Sequence, residues 1–348
     1  MKENVVKDFE NLYLTRPHAV IIGAGATIDS IPNGDKYGKK SAVMNGFIKK
    51  LKLESLFEKV KIHTNSDNLE DIYSELDKRG KECADIKKKL EDTIWQYFHE
   101  MKLPDEPTKY DLLVLSLTRK DCIASFNWDP LLLEAYNRAK KITDNRPELL
   151  FLHGNVLAGY CEHCKRNGPT VRNCDGCNKP FTPSPLLYPV SKKSYEDNIF
   201  IKDQWHQFEN YLSRAALLTI YGYSAPKTDK AAIRVLKQAF TKIKGVHTFD
   251  YIEIIDKVGC NHDEIAEKWK SFFKQVNYHY DILDSIFSSM IAKYPRRSVE
   301  FYYHSNLNRN WNAGSSINFE DGLTFENLKE MLNPYIIDEN KNGKLNLI

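Results

Sequence analysis

Six short clusters in this 348-residue chain combine residue types and spacings that could do chemistry. Cys161-Glu-His-Cys164 is followed, after nine intervening residues, by Cys174-Asp-Gly-Cys177. Two such pairs suit four thiolates around one tetrahedral zinc with no coordination position left open, so a structural role is expected. His163, inside the first pair, reads as a surface residue. His153-Gly154-Asn155 follows an apolar run, and imidazole is the natural general base near neutral pH. Ser125-Phe-Asn127-Trp-Asp129 follows another run. Asn127 reads as functional, whereas Asp129 either shares that role or caps the helix that Pro130 opens. Gly23-Ala24-Gly25-Ala26-Thr27 turns tightly after a third run. Its glycines suit the approach of a pyrophosphate to backbone N–H groups or a plain tight turn, because Ile28 stands where a dinucleotide fingerprint has its third glycine. Tyr221-Gly222-Tyr223-Ser224, with Thr228-Asp229 opening the next helix, suits a ligand contact or a loop whose Asp229 favours the helix dipole. Asp256, closing Glu253-Ile-Ile-Asp256, either accepts from a ribose hydroxyl or is solvated.

Strand ends must hold these clusters. His18–Ile22, Asp121–Phe126, Leu149–His153, Ala215–Tyr221 and Phe249–Ile255 are apolar runs of strand length. Helical spacing covers residues 4–13, 68–79 with Gly80 as a C-cap, 84–101, 130–140 and about 227–239. Strands alternating with helices predict an α/β fold, a mostly parallel sheet with helices on both faces. Residues 1–257 read as one domain. Within it, about 41–117 forms a helical insertion and about 158–182 a zinc module. Residues 258–348 read as a helical C-terminal region of unknown role.

Composition limits the functional classes. The chain is 42% apolar and 28% charged, as soluble globular proteins are. Fifty basic against 47 acidic side chains, net +3, do not indicate nucleic acid as a partner. The apolar runs are too short to span a bilayer, and the N-terminus lacks the apolar stretch of a signal peptide. A cytoplasmic protein that engages no membrane is expected. Cys83, Cys122 and Cys260 read as unpaired thiols.

Taken in order, the motifs resemble the sirtuin superfamily over roughly residues 17–257. Gly23–Thr27 resembles its first NAD-binding motif, and Ser125–Asp129 is similar to its Thr-Gln-Asn-Ile-Asp element. His153-Gly154 matches its catalytic His-Gly, followed as in that family by a four-cysteine module. Tyr221-Gly222-Tyr223-Ser224 resembles its later Gly-Thr-Ser loop. The resemblance implies a Rossmann-like sheet binding NAD through Gly23–Thr27, Asn127, Gly222, Tyr223, Ser224 and Asp256. It implies catalysis by His153 with Asn127 and Asp129, and zinc on Cys161, Cys164, Cys174 and Cys177. Deacylating sirtuins carry Gly-Ile-Pro-Asp-Phe-Arg where Ser30–Asp35 stands here, and a peptide-pairing Phe-Gly-Glu segment where Pro185–Lys193 stands. The variant is closer to the sirtuin-like NAD hydrolases of bacterial antiphage defence. That implies cleavage of the nicotinamide–ribose bond to nicotinamide and ADP-ribose, by a homo-oligomer or with a partner such as a motor ATPase. A deacylase, an ADP-ribosyltransferase or a non-catalytic NAD- or ADP-ribose-binding assembly module are the alternatives.

Overall fold

The apolar runs become neighbours in one sheet. The computed structural model describes residues 8, 10–41, 43–58, 60–188, 198–226, 229–241, 249–257, 259–273, 280–308 and 315–342. Its strands are β1 (His18–Ile22), β2 (Cys122–Ser125), β3 (Glu148–Phe151), β4 (Ala158–Cys161), β5 (Arg166–Pro169), β6 (Thr182–Pro183), β7 (Leu217–Tyr221), β8 (Tyr251–Ile255) and β9 (Tyr280–Leu283). Six of them form a sheet in the order β3-β2-β1-β7-β8-β9, and β5-β4-β6 form a separate antiparallel sheet. Every pairing in the large sheet is parallel. The chain winds outward from β1 to β3, returns to β7, and winds outward the other way. The order therefore reverses between β1 and β7, where an open α/β sheet leaves a crevice outside its carboxyl ends.

Register decides what meets there. Ile22 pairs with Ser125 and with Tyr221, Ser125 with Phe151, and Tyr221 with Ile255. The loops after five strands thus begin level along one rim. Every residue of β1, β2 and β7 is buried. Because successive side chains point to opposite faces, both faces of the sheet are covered, as its continuous apolar strands require.

The longer helices are α1 (Ala24–Ser30), α2 (Leu69–Arg79), α3 (Ala84–His99), α4 (Lys109–Leu115), α5 (Leu131–Ala139), α6 (Ile199–Arg214), α7 (Lys230–Thr241), α8 (His262–Phe273) and α9 (Phe325–Asn342). Local chemistry sets their ends. The Asn68 side chain accepts from the Glu70 N–H to start α2, and Gly80 ends that helix at φ +56°. Thr108 and Asp111 form a reciprocal capping box on α4. Packing places α4 against α1 and α5, and α6 against β2, β3 and α7.

Some expectations shift. Of the helix expected over 4–13, residues 8 and 10–13 are helical, and 4–7 and 9 lie outside the described residues. Helix α6 was not anticipated, although Asn198 caps it with its side chain. Strand β9 joins the sheet from beyond residue 257. The C-terminal helix is tied to the body by an ion pair. Arg296, at φ +66°, places its guanidinium against both Glu339 carboxylate oxygens, and its N–H groups also meet the carbonyls of Leu115, Leu117 and Asn145. Among the described residues no helix is long and apolar enough to cross a membrane.

Candidate functional site

A cavity of about 320 Å³ opens on the rim where those loops begin. Gly23, Ala24 and Gly25 reach it from β1, Asn127 and Asp129 from β2, and His153 from β3. Gly222, Tyr223, Ser224 and Asp229 reach it from β7, and Asp256 from β8. Ala26 and Thr27 do not line it; both lie buried beneath. The helical insertion supplies the facing wall with Val43, Met44, Phe47 and Phe98, beside Asn45, Asn68 and Glu70. An apolar wall facing a few convergent polar groups is the usual make-up of a small-molecule site.

The glycines have a reason inside the chain. A Cβ on Gly23 would stand 2.6 Å from the Gly222 carbonyl oxygen, and one on Gly25 would stand 2.8 Å from the Gly222 Cα. Gly222, at φ +61°, would put a Cβ 2.2 Å from the Ala26 nitrogen. The loops after β1 and β7 cross backbone to backbone at the switch point. Hydrogen bonds fix the crossing: the Gly23 N–H donates to Tyr221 O at 3.1 Å and the Gly25 N–H to Gly222 O at 3.0 Å. Ala26 N–H donates to Gly23 O. These amides are already engaged, which leaves Ala24, at a first helical position with no intrahelical acceptor, to face a ligand. Gly222→Ala should therefore destabilise the fold by about 1–3 kcal/mol from backbone strain alone. Chemical unfolding measures it, and an unchanged midpoint would contradict the crossing.

Beneath the cavity a buried network holds Asn127. Its Nδ2 donates to Gly23 O and Thr27 Oγ1, both at 2.9 Å, and to the Tyr110 hydroxyl at 3.1 Å. A backbone carbonyl can only accept, so the amine half of the carboxamide faces this network and Oδ1 takes no part in it. Thr27 Oγ1 donates to Asp129 Oδ2 at 2.8 Å, and Asp129 Oδ1 accepts from the Leu131 N–H at 3.1 Å. Asp129 thus both secures the start of α5 and reaches Asn127 through Thr27.

Burial raises the Asp129 carboxyl from 3.8 to about 6. Folding therefore strengthens its hold on a proton. Above pH 6 the buried carboxylate costs up to about 3 kcal/mol, and this cost is relieved as pH falls from about 6 towards 3.8. The stability of Asp129→Asn relative to the native chain should accordingly be most favourable near pH 8 and decline towards pH 4. A pH-independent difference in unfolding free energy would refute this.

His153 is buried, with Nε2 3.3 Å from Asp229 Oδ1. The Tyr223 hydroxyl donates to the other Asp229 oxygen at 3.2 Å. Phe126 meets the imidazole edge-on at 4.8 Å and stacks on Tyr223 at 4.1 Å. The imidazole is thus held by a carboxylate and by the rings of its neighbours. Pro185–Tyr188, in the segment that departs from the peptide-pairing pattern, folds back onto this loop. Leu187 N–H donates to His153 O at 2.9 Å. The Tyr188 ring stacks on Tyr73 at 5.1 Å. Residues 189–193 of that segment lie outside the described residues.

Farther off, Cys161, Cys164, Cys174 and Cys177 bring their sulfurs within 4.8 Å of one another. Cys161 and Cys177 sulfurs are 3.4 Å apart, against roughly 3.8 Å for the edge of a tetrahedral zinc–thiolate site. Lys165 and Asn178, each directly after a Cys-x-x-Cys pair, adopt positive φ of 55° and 57°. Hydrogen bonding to Cys177 and burial push the Cys164 thiol up, as crowding four sulfurs without a counter-charge would. The donor set and its spacing fit zinc. His163 is exposed.

Sequence reasoning missed Tyr110, the wall from the insertion, and the pairing of Asp229 with His153. Tyr110 sits in a short apolar helix and Phe47 and Phe98 look like ordinary core, so only Asp229, placed at a helix start, carried any signal.

No family model matches the chain, and no curated protein matches it. Three similar solved structures are those of a study of the mechanism and regulation of Sir2 enzymes, a complex of a Sir2 homologue with NAD, and a study of sirtuin substrate affinity. The first is 13% identical and covers 86% of this chain and 98% of its own, with a TM-score of 0.39. The second is 12% identical and covers 84% and 92%, with a TM-score of 0.38. The third is 15% identical and covers 80% and 93%, with a TM-score of 0.38.

Proposed function

We propose that this chain binds NAD at the rim cavity and hydrolyses its nicotinamide–ribose bond. The observation that carries the reading is the meeting of Gly25, Asn127, His153 and Ser224, from four different strand ends, in one cavity at the switch point. Trp128 adds support: it lines the cavity, and its buried indole N–H has no partner among the described residues. A ligand acceptor would satisfy that donor.

Nicotinamide leaves as a neutral molecule, so the bond needs stabilisation of positive charge at C1′ more than it needs an acid. Glu70, Asp229 and Asp256 line the cavity with Asp129, and no Lys or Arg does so among the described residues. That charge balance suits an oxocarbenium-like transition state. His153, oriented by the Asp229 carboxylate, takes a proton from water as the water oxygen bonds to C1′. The electron pair of the breaking C1′–N bond stays with nicotinamide. Asn127 Oδ1 accepts from a ribose hydroxyl or from that water. The docking of Pro185–Tyr188 against the His153 loop and Tyr73 supports hydrolysis over a peptide-dependent reaction.

Incubation of purified protein with NAD alone, followed by product separation, tests the reading. Equal amounts of nicotinamide and ADP-ribose are expected. Turnover only after an acyl-lysine peptide is added would favour the deacylase, and transfer of ADP-ribose to protein the transferase. NAD retained intact would favour the binding module. The resemblance extends the proposal to a cytoplasmic antiphage effector that depletes NAD, as a homo-oligomer or with a partner such as a motor ATPase.

Zinc on the four cysteines is the structural part of this proposal. Cys161→Ser should lose the metal and lower the soluble yield, since a metal-organised module folds with its ion. Metal analysis that finds no zinc in the native protein would end that reading.

A further inference from the structure

A second group of metal-ligating side chains lies where the loops after β8 and β9 approach each other. Cys260, His262 and Asp284 each offer a ligand atom, and these atoms all lie within 4.8 Å of one another. His262 Nε2 is 2.8 Å from Asp284 Oδ1, and Cys260 Sγ is 3.8 Å from the same oxygen. Zinc bonds of about 2.0 Å to nitrogen and oxygen and 2.3 Å to sulfur imply tetrahedral N···O and S···O edges of roughly 3.3 and 3.5 Å. The first pair therefore needs to open by roughly 0.5 Å and the second to close by roughly 0.3 Å to share one ion.

The frame around them is built. Asn261 Oδ1 accepts from the Asp263 N–H at 3.0 Å and the Glu264 N–H at 3.4 Å, which sets the start of α8 and the position of His262. The Asp256 N–H donates to Leu283 O at 3.1 Å, joining the two loops directly before the cluster. An ordinary surface ion pair explains His262 beside Asp284. It does not explain a thiol aimed at the same carboxylate oxygen. Sulfur, imidazole nitrogen and carboxylate oxygen together form a donor set that zinc accepts readily.

We propose that Cys260, His262 and Asp284 bind a zinc ion at a site separate from the four-cysteine cluster. Three protein ligands leave a fourth position for water or another ligand. The residues are half-buried or exposed, so the ion enters from solvent. The loop it braces is the one that carries Asp256 to the rim cavity. The inference does not depend on the NAD reading.

The full chain, dialysed to equilibrium against low micromolar zinc, should bind one zinc more than either Cys260→Ser or His262→Ala, as counted by mass spectrometry. The comparison uses a difference, so the content of the four-cysteine cluster does not enter. Cobalt in place of zinc should show weaker thiolate-to-metal absorption in Cys260→Ser than in the native chain. Both variants should keep the native circular dichroism spectrum, because neither side chain belongs to the core. Equal zinc content in the native chain and both folded variants would overturn the proposal. So would a native chain whose cobalt absorption Cys260→Ser leaves unchanged.

Discussion

His153→Ala should retain the fold and lose NAD cleavage by about 10²- to 10⁴-fold, the usual contribution of a positioned acid–base group. The imidazole lies at the cavity wall rather than inside the sheet, and Asp229 keeps its hydrogen bond from Tyr223 when it is removed. The loss should therefore fall mainly on turnover, read as the rate of nicotinamide release, with a smaller loss of thermal stability than Asn127→Ala shows, because Asp229 keeps one donor. Asn127→Ala should behave differently. Its Nδ2 holds Gly23, Thr27 and Tyr110 together in a buried network, so the variant should lose stability as well as activity. Sequence alone treats the two residues alike. A His153→Ala protein that turns over NAD at the native rate removes the imidazole from the mechanism.

Glu339→Ala should destabilise the chain by about 3–5 kcal/mol, because it strips the counter-charge from a buried guanidinium. The Arg296 side chain is wholly buried, and that of Glu339 nearly so. Three backbone carbonyls from the segments around residues 115 and 145 share the same guanidinium, so its loss of pairing propagates from α9 into the body. Replacing Arg296 and Glu339 together with methionine should cost less, since it removes both charges and leaves neither buried alone. Denaturant unfolding of the two variants gives the comparison. A loss below about 1 kcal/mol for Glu339→Ala would place this pair among ordinary surface contacts.

The parallel sheet was legible because β1, β2 and β7 are buried on both faces and so read as unbroken apolar runs. The cysteine cluster was legible from spacing alone. Strand β9 was not: Tyr280–Leu283 is partly exposed and carries Asp281, so no apolar run marks it. The glycines of the first turn were legible as a need for space, but not for what fills it. The backbone of Gly222 takes that space from nearly two hundred residues along the chain, a contact without local signature. The cavity's outer wall was hidden for a similar reason. Phe47 and Phe98 recur at helical spacing as core residues do, and only the fold shows that they end at the rim.

The most direct test of a dinucleotide site at the switch point is a crystal structure of His153→Ala soaked with NAD, in which the substrate should survive. NAD is expected in the rim cavity, with its nicotinamide riboside beside residue 153 and Asn127 and its pyrophosphate near Ala24. NAD bound elsewhere, or an empty cavity at saturating NAD, would contradict the account.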